Sequence, residues 1–172
     1  MNVILSDLLV NTFATGSQAE PRVVRLPDDS IVVVYSSAGA DGSGSGIFAQ
    51  RFTSLGERLG QETRLNDLAA GSQSQPDVAL AANGDLLVAY RDDASRDGDS
   101  SGIFLQRFSS DLTDIGTAVQ VNTFTRSGQD DPHLSVFASG EIMVTWYDST
   151  GAYYDEVIDG SRYLSQNNVR AR

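Results

Sequence analysis

The stretch GSQAEPRVVRLPDDSIVVVY, residues 16–35, returns as GSQSQPDVALAANGDLLVAY at 71–90 and as SGQDDPHLSVFASGEIMVTW at 127–146. Pro21, Pro76 and Pro132 stand fifty-five and fifty-six residues apart, and Gln18, Gln73 and Gln129 keep the same step. So do Asn11, Asn66 and Asn122, in VNTF, LNDL and VNTF. A fixed period of this length means one supersecondary unit used repeatedly, each unit burying its apolar face against the next.

Each unit reads as four short strands. In the first, PRVVRL is followed by a turn at PDDS and by IVVVYSS. A Gly/Ser loop then leads into GIFAQRF, a turn at TSLGE and a last strand QETRLN. Strand formers dominate, and apolar residues nowhere recur with helical spacing. The chain is therefore expected to be all-β, with an N-terminal closing strand at 1–10, repeats at 11–65 and 66–121, and a divergent repeat at 122–172. Two architectures accept three four-stranded units. A β-trefoil strand keeps one wet face and alternates, whereas the inner strands of a β-propeller blade lie between neighbours and are apolar on both faces. IVVVY, LLVAY and IMVTW are apolar at nearly every position, which favours propeller blades, with the trefoil as the alternative. Three blades do not close a ring, because propellers typically use about four to eight. A partial ring completed by a second copy, or a segment of a longer array, is the expectation. The opening VILSDLLVN resembles the end of a repeat and would complete a blade begun elsewhere.

A second phrase repeats as well: DGSGSGIFAQRF at 41–52 and DGDSSGIFLQRF at 97–108. Asp41, Ser43 and Ser45, like Asp97, Asp99 and Ser101, place oxygen-bearing side chains at alternate positions among glycines. Such a loop suits a hard cation that takes six to eight oxygens, and Ca²⁺ is the cofactor it would hold, with Asp41, Asp97 and Asp99 as metal ligands. The bland reading is a good turn, since Asp caps its own backbone and Gly takes positive φ. In the third unit the loop shrinks to YDSTG, and GAYYDEV (151–157) stands where GIFAQRF should be. Within GIFAQRF and GIFLQRF, Arg51 and Arg107 are expected to pair with a carboxylate or carbonyl of the adjacent blade. Gln18, Gln73 and Gln129 are expected to tie loops to neighbouring backbone.

Composition narrows the function. The net charge is −11 and every positive side chain is Arg, so nucleic acid and anionic membrane are not expected partners. No apolar run approaches a bilayer span, and MNVILSDLLV lacks a basic leader and cleavage site, so no signal peptide is visible. The chain has no Cys and one His, His133, which excludes a thiol nucleophile, a His relay and a His-based metal site. The acidic pairs Asp28-Asp29, Asp92-Asp93 and Asp130-Asp131 would suit a glycosidase dyad, but all three fall in expected turns. Tyr35, Tyr90 and Trp146 end core strands and are expected to be packed.

The phrase QxxPxVxxxxxGxxxVxY…DGxxSGIxxQRF…VN resembles the repeats of large secreted bacterial proteins of the hemolysin-type calcium-binding (RTX-associated) and adhesin class. The resemblance implies a secreted or cell-surface setting. The companion nonapeptide GGxGxDxUx is absent, so calcium does not come with the resemblance. The expected function is a non-enzymatic binding or adhesion module that presents loops to a glycan or protein surface. The alternatives are a carbohydrate-binding lectin or a purely structural repeat, with a glycoside hydrolase behind them.

Overall fold

The computed structural model describes residues 7–149 and Arg172, together with the backbone of 157–158, 161–162 and 169–171. Among these the chain is all-β, with no helix. Blade 1 is the sheet β1 (Gln18–Arg25), β2 (Ile31–Ala38), β3 (Ser45–Phe52), β4 (Arg58–Arg64), in that spatial order. Blade 2 repeats it as β5 (Gln73–Leu80), β6 (Leu86–Asp92), β7 (Gly102–Phe108) and β8 (Val119–Gln120). Blade 3 contains β9 (Gln129–Val136), β10 (Ile142–Asp148) and, beyond a short β11 (Val157–Ile158) and β12 (Ser161–Arg162) pair, β13 (Val169–Ala171). The place beside β10 thus belongs to β13 rather than to GAYYDEV, of which 151–156 lie outside the described residues.

Blades stack through the inner strands, as their sequences require. β1, β2 and β3 pack on β5, and β5, β6 and β7 pack on β9. Val32 and Val34 face blade 2, while Leu86, Val88 and Tyr90 face blade 1, and all five are buried. The other side of blade 2 carries Ala89 and Ile103 against Val144 and Trp146. A strand apolar on both faces is what a blade between two blades needs, and this arrangement settles the choice in favour of propeller blades over the trefoil. Tyr35, Tyr90 and Trp146 are packed, as expected.

The β1–β2 type hairpin shows local chemistry following position. Asp29, Gly84 and Gly140 occupy matching sites with positive φ. Asp tolerates this region better than most side chains, and Gly adopts it freely.

Candidate functional site

Two repeated devices and one cleft organise the polar residues of the fold. The first is a latch at the ends of blades 1 and 2. Asn66 Oδ1 accepts the Ile47 amide at 2.8 Å, and its Nδ2 donates to Leu68 O (2.8 Å), Gln73 Oε1 (2.9 Å) and Asp41 Oδ2 (3.4 Å). Asn122 repeats the set with Ile103 N, Phe124 O, Gln129 Oε1 and Asp97 Oδ2. Gln73 and Gln129 complete it by donating to Ala70 O and Arg126 O. Buried amides of this kind are costly unless every donor and acceptor is paired, and here one Asn joins two strands, a loop and the next blade. Gln18 donates to Thr15 O and Asn11 to Phe13 O in the same way, so all three glutamines tie their loops to backbone.

Of the candidate metal ligands, Asp41 and Asp97 belong to this latch. Asp41 Oδ1 accepts the Ser43 amide and Asp97 Oδ1 the Asp99 amide, each closing its own turn. Asp99 reaches away from them: its Oδ2 accepts the Ser127 amide of blade 3 at 2.7 Å. The fold gives Asp41 and Asp97 equivalent places in separate blades and turns Asp99 toward blade 3. Among the described residues no group of three or more His, Cys, Asp or Glu is placed to hold a metal ion.

The second device was not foreseen. Glu20, Gln75 and Asp131, each just before the repeated proline, have φ of 57°, 53° and 55°. At each, the register between the first two strands of the blade shifts, which marks a bulge. A non-glycine residue there costs about 1–3 kcal/mol and persists when its surroundings hold it. The hold is visible: Glu20 Oε2 accepts the Gln75 amide at 2.7 Å, and Gln75 Oε1 accepts the Asp131 amide at 2.9 Å. Each bulge thus grips the bulge of the next blade. Beside this ladder, Asp77 accepts the Leu134 amide at 2.6 Å and lies 3.5 Å from Arg22.

The inter-blade pairing expected of Arg51 and Arg107 is corrected. Arg51 binds Asp28 (2.5 Å) and the Ser30 hydroxyl, and Arg107 binds Asp85 (2.8 Å), each within its own blade. Their strands end beside the first hairpin, whose turn carboxylates lie within reach sooner than any neighbour's. The arginines that do meet a carboxylate of the next blade are Arg91, which binds Asp130 at 2.5 Å, and Arg22, 3.5 Å from Asp77. Arg96 grips Asp67 with both Nη atoms (2.7 and 3.0 Å), touches Asp92 and covers the Phe104 ring. Burial opposes ionisation of Asp67, but the hydrogen bond and charge of Arg96 prevail and hold its carboxyl below the ordinary range.

The cleft is an open one of about 390 Å³ between blades 1 and 2, lined by Arg51, Leu59, Gln61, Thr63, Asp111 and Leu112. Leu112 is buried with φ of 69°, at a turn position where blade 1 has Gly56. The two turns share their bonds: Gly56 N donates to Thr53 O, and Leu112 N donates to Ser109 O. A leucine is strained there, and the strain sets its side chain between the blades, where it joins the core cluster. Asp111, beside it, is held ionised: bonds from the Ser109 hydroxyl and from Thr113 keep its carboxyl below the ordinary range. The walls of this cleft come from two repeats, so no single repeat's sequence outlines it.

No family model and no curated protein matches the chain. Solved structures do. An α-L-arabinofuranosidase from Fusarium graminearum aligns at 15% identity over 89% of this chain and 49% of its own, with a TM-score of 0.58. An α-L-arabinofuranosidase from Lactobacillus brevis aligns at 15% identity over 91% of this chain and 54% of its own, with a TM-score of 0.56. A fucose lectin from Kordia zhangzhouensis aligns at 13% identity over 84% of this chain and 96% of its own, with a TM-score of 0.49, below the level that shows a shared fold. The chain spans about half the length of the two arabinofuranosidases, and at these identities the likeness is one of fold.

Proposed function

We propose that the chain is a non-enzymatic carbohydrate-binding module, with the cleft between blades 1 and 2 as its sugar site. The cleft carries the reading. Its volume of about 390 Å³ falls in the range of small-ligand sites. Arg51 and Gln61 offer donors, Gln61 and the ionised Asp111 offer acceptors, and Leu59 and Leu112 supply an apolar floor. That mixture suits a ring with hydroxyls on its edge and C–H groups on its face. The inner-strand carboxylates support binding over turnover. Glu20 and Asp77 accept backbone amides of the next blade, and Asp130 is paired with Arg91. A glycosidase acid needs a raised pKa beside a second free carboxylate. A place in a secreted or cell-surface protein rests on the resemblance of the repeats.

Calorimetric titration with L-arabinose, L-fucose, D-xylose and D-galactose tests the proposal. Saturable binding is expected for at least one sugar. It should weaken about tenfold or more in Gln61→Ala, an exposed site, which corresponds to about 1.4 kcal/mol. Absence of binding to all four, or binding that Gln61→Ala and Asp111→Ala leave unchanged, overturns it.

A further inference from the structure

Among the described residues, the sheet of blade 3 and the N-terminal segment each leave a strand position open, and the two positions match. Blades 1 and 2 have four strands, while the described sheet of blade 3 has three. Val169 pairs with Tyr147, the rung held by Ile103 opposite Arg91 and by Ile47 opposite Ser36. In blades 1 and 2 the amide at that rung donates to Oδ1 of the latch asparagine, Asn66 or Asn122. One asparagine of the series remains. Asn11 already donates to Phe13 O and reaches Gln18 Oε1, as its counterparts do, but its Oδ1 has no donor among the described residues. It closes a segment, LLVN, that forms no strand here and is held by Arg58 through the carbonyls of Leu9 and Val10.

The faces match as well. Glu20 accepts the Gln75 amide and Gln75 accepts the Asp131 amide, so the Asp131 carboxylate stands ready for the next bulge amide, which in this series is that of Glu20. Arg91 of β6 meets Asp130 of β9, and one step further the corresponding residues are Tyr147 and Ala19, a compatible apolar pair. Tyr147 is 43% exposed. The face of blade 1 that would receive it holds an apolar cleft of about 260 Å³ lined by Leu9, Val10, Ala19, Pro21, Val33 and Tyr35.

We propose that two copies of the chain exchange these parts. Residues 7–11 of each form the outermost strand of the other's third blade, with Asn11 Oδ1 accepting the Val169 amide. Blade 3 of each packs on the open face of the other's blade 1. The same contact made twice about a two-fold axis closes a ring of six blades and leaves no open apolar face.

Sedimentation equilibrium tests this, and the expected mass is twice the 18.4 kDa of one chain. Leu9→Asp and Tyr147→Asp alter side chains that are 69% and 43% exposed in the single chain, so each should still fold, as circular dichroism will verify, yet sediment at 18.4 kDa. The chain has no cysteine, so an Ala19→Cys copy mixed with a Tyr147→Cys copy should form a disulfide-linked pair on oxidation, and neither copy alone should. A parent that stays at 18.4 kDa, an open series of larger masses, or a dimer that both aspartate variants leave intact overturns the proposal.

Discussion

Where blade 1 meets blade 2, one continuous apolar cluster fills the space, with Val32, Val34, Ile47 and Leu65 on one side and Val88, Tyr90, Phe108 and Leu112 on the other. Where blade 2 meets blade 3, the buried cluster shrinks to Ala89, Ile103, Val121, Val144 and Trp146. Polar contacts cross both: Arg91 with Asp130, Asp77 with the Leu134 amide and Asp99 with the Ser127 amide at the second, and Arg22 with Asp77 and the Ser45 amide with the Ser72 hydroxyl at the first. Both junctions nevertheless carry the same asparagine latch and the same bulge-to-bulge bond. Apolar burial is proportional to area and indifferent to direction, so it can vary from junction to junction. Register needs directional bonds at fixed places, and those repeat. The difference separates what supplies the energy of a junction from what sets its geometry.

The largest effect should come from the apolar junction. Phe108→Ala removes a fully buried ring and should cost about 3–5 kcal/mol in urea unfolding, against about 2 kcal/mol for Val144→Ala at the second junction. Equal losses would erase the contrast. The latch should show the opposite pattern. Asn66→Ala and Asn122→Ala each strand a buried strand amide and the oxygen of the following glutamine, so each should cost about 2–3 kcal/mol, and the two should agree. A much smaller loss for Asn122→Ala would mean that the second junction takes its register from its ion pairs.

The acid limb sharpens the contrast further. The Asp67 carboxyl titrates lower in the folded chain than its unfolded value of about 3.9, so its contribution is present above that pH and is lost as pH falls through the folded value. Asp67→Asn should therefore lower the melting temperature at pH 7, and the gap from the parent should narrow as pH falls below the unfolded value. A gap that stays constant as the carboxyl is protonated would mean that the charge of Asp67 is not what Arg96 uses. The smallest effect is expected at Asp99→Ser, which removes the acceptor of the Ser127 amide at an exposed site and should cost less than about 1 kcal/mol, equally in millimolar calcium and in chelator. A calcium-dependent rise in the parent's melting temperature that this variant loses would make the loop a cation site.

Much of the scaffold was legible because periodicity reports burial. The spacing of Pro21, Pro76 and Pro132 marked the blades, and runs such as IVVVY and LLVAY showed strands covered on both faces. The step of Asn66 and Gln73 signalled a recurring tie, although the tie's membership, with Asp41 inside it, emerged only in three dimensions. The bulges were hidden by a local rule. A residue before proline is biased to extended backbone, whereas Glu20, Gln75 and Asp131 are left-handed, and the amides of Gln75 and Asp131 are held by the bulge side chain of the preceding blade. Arg51 and Arg107 misled because chain pattern shows that a cation sits in a strand but not which carboxylate lies closer. Leu112 left a usable trace. Setting SSDLT against TSLGE puts leucine where the other turn has glycine, a mismatch that marks the wall of the cleft.

The central claim is that the inner-strand carboxylates join blades and that the module recognises sugars without cleaving them. Its most direct test is the release of chromophore from aryl α-L-arabinofuranosides, β-xylosides and α-L-fucosides by the parent, Asp77→Asn and Asp131→Asn. The expected result is no release above buffer by any of the three. Turnover by the parent that Asp77→Asn or Asp131→Asn abolishes, while the variant keeps its fold, would contradict the account and make the inner strands an active site.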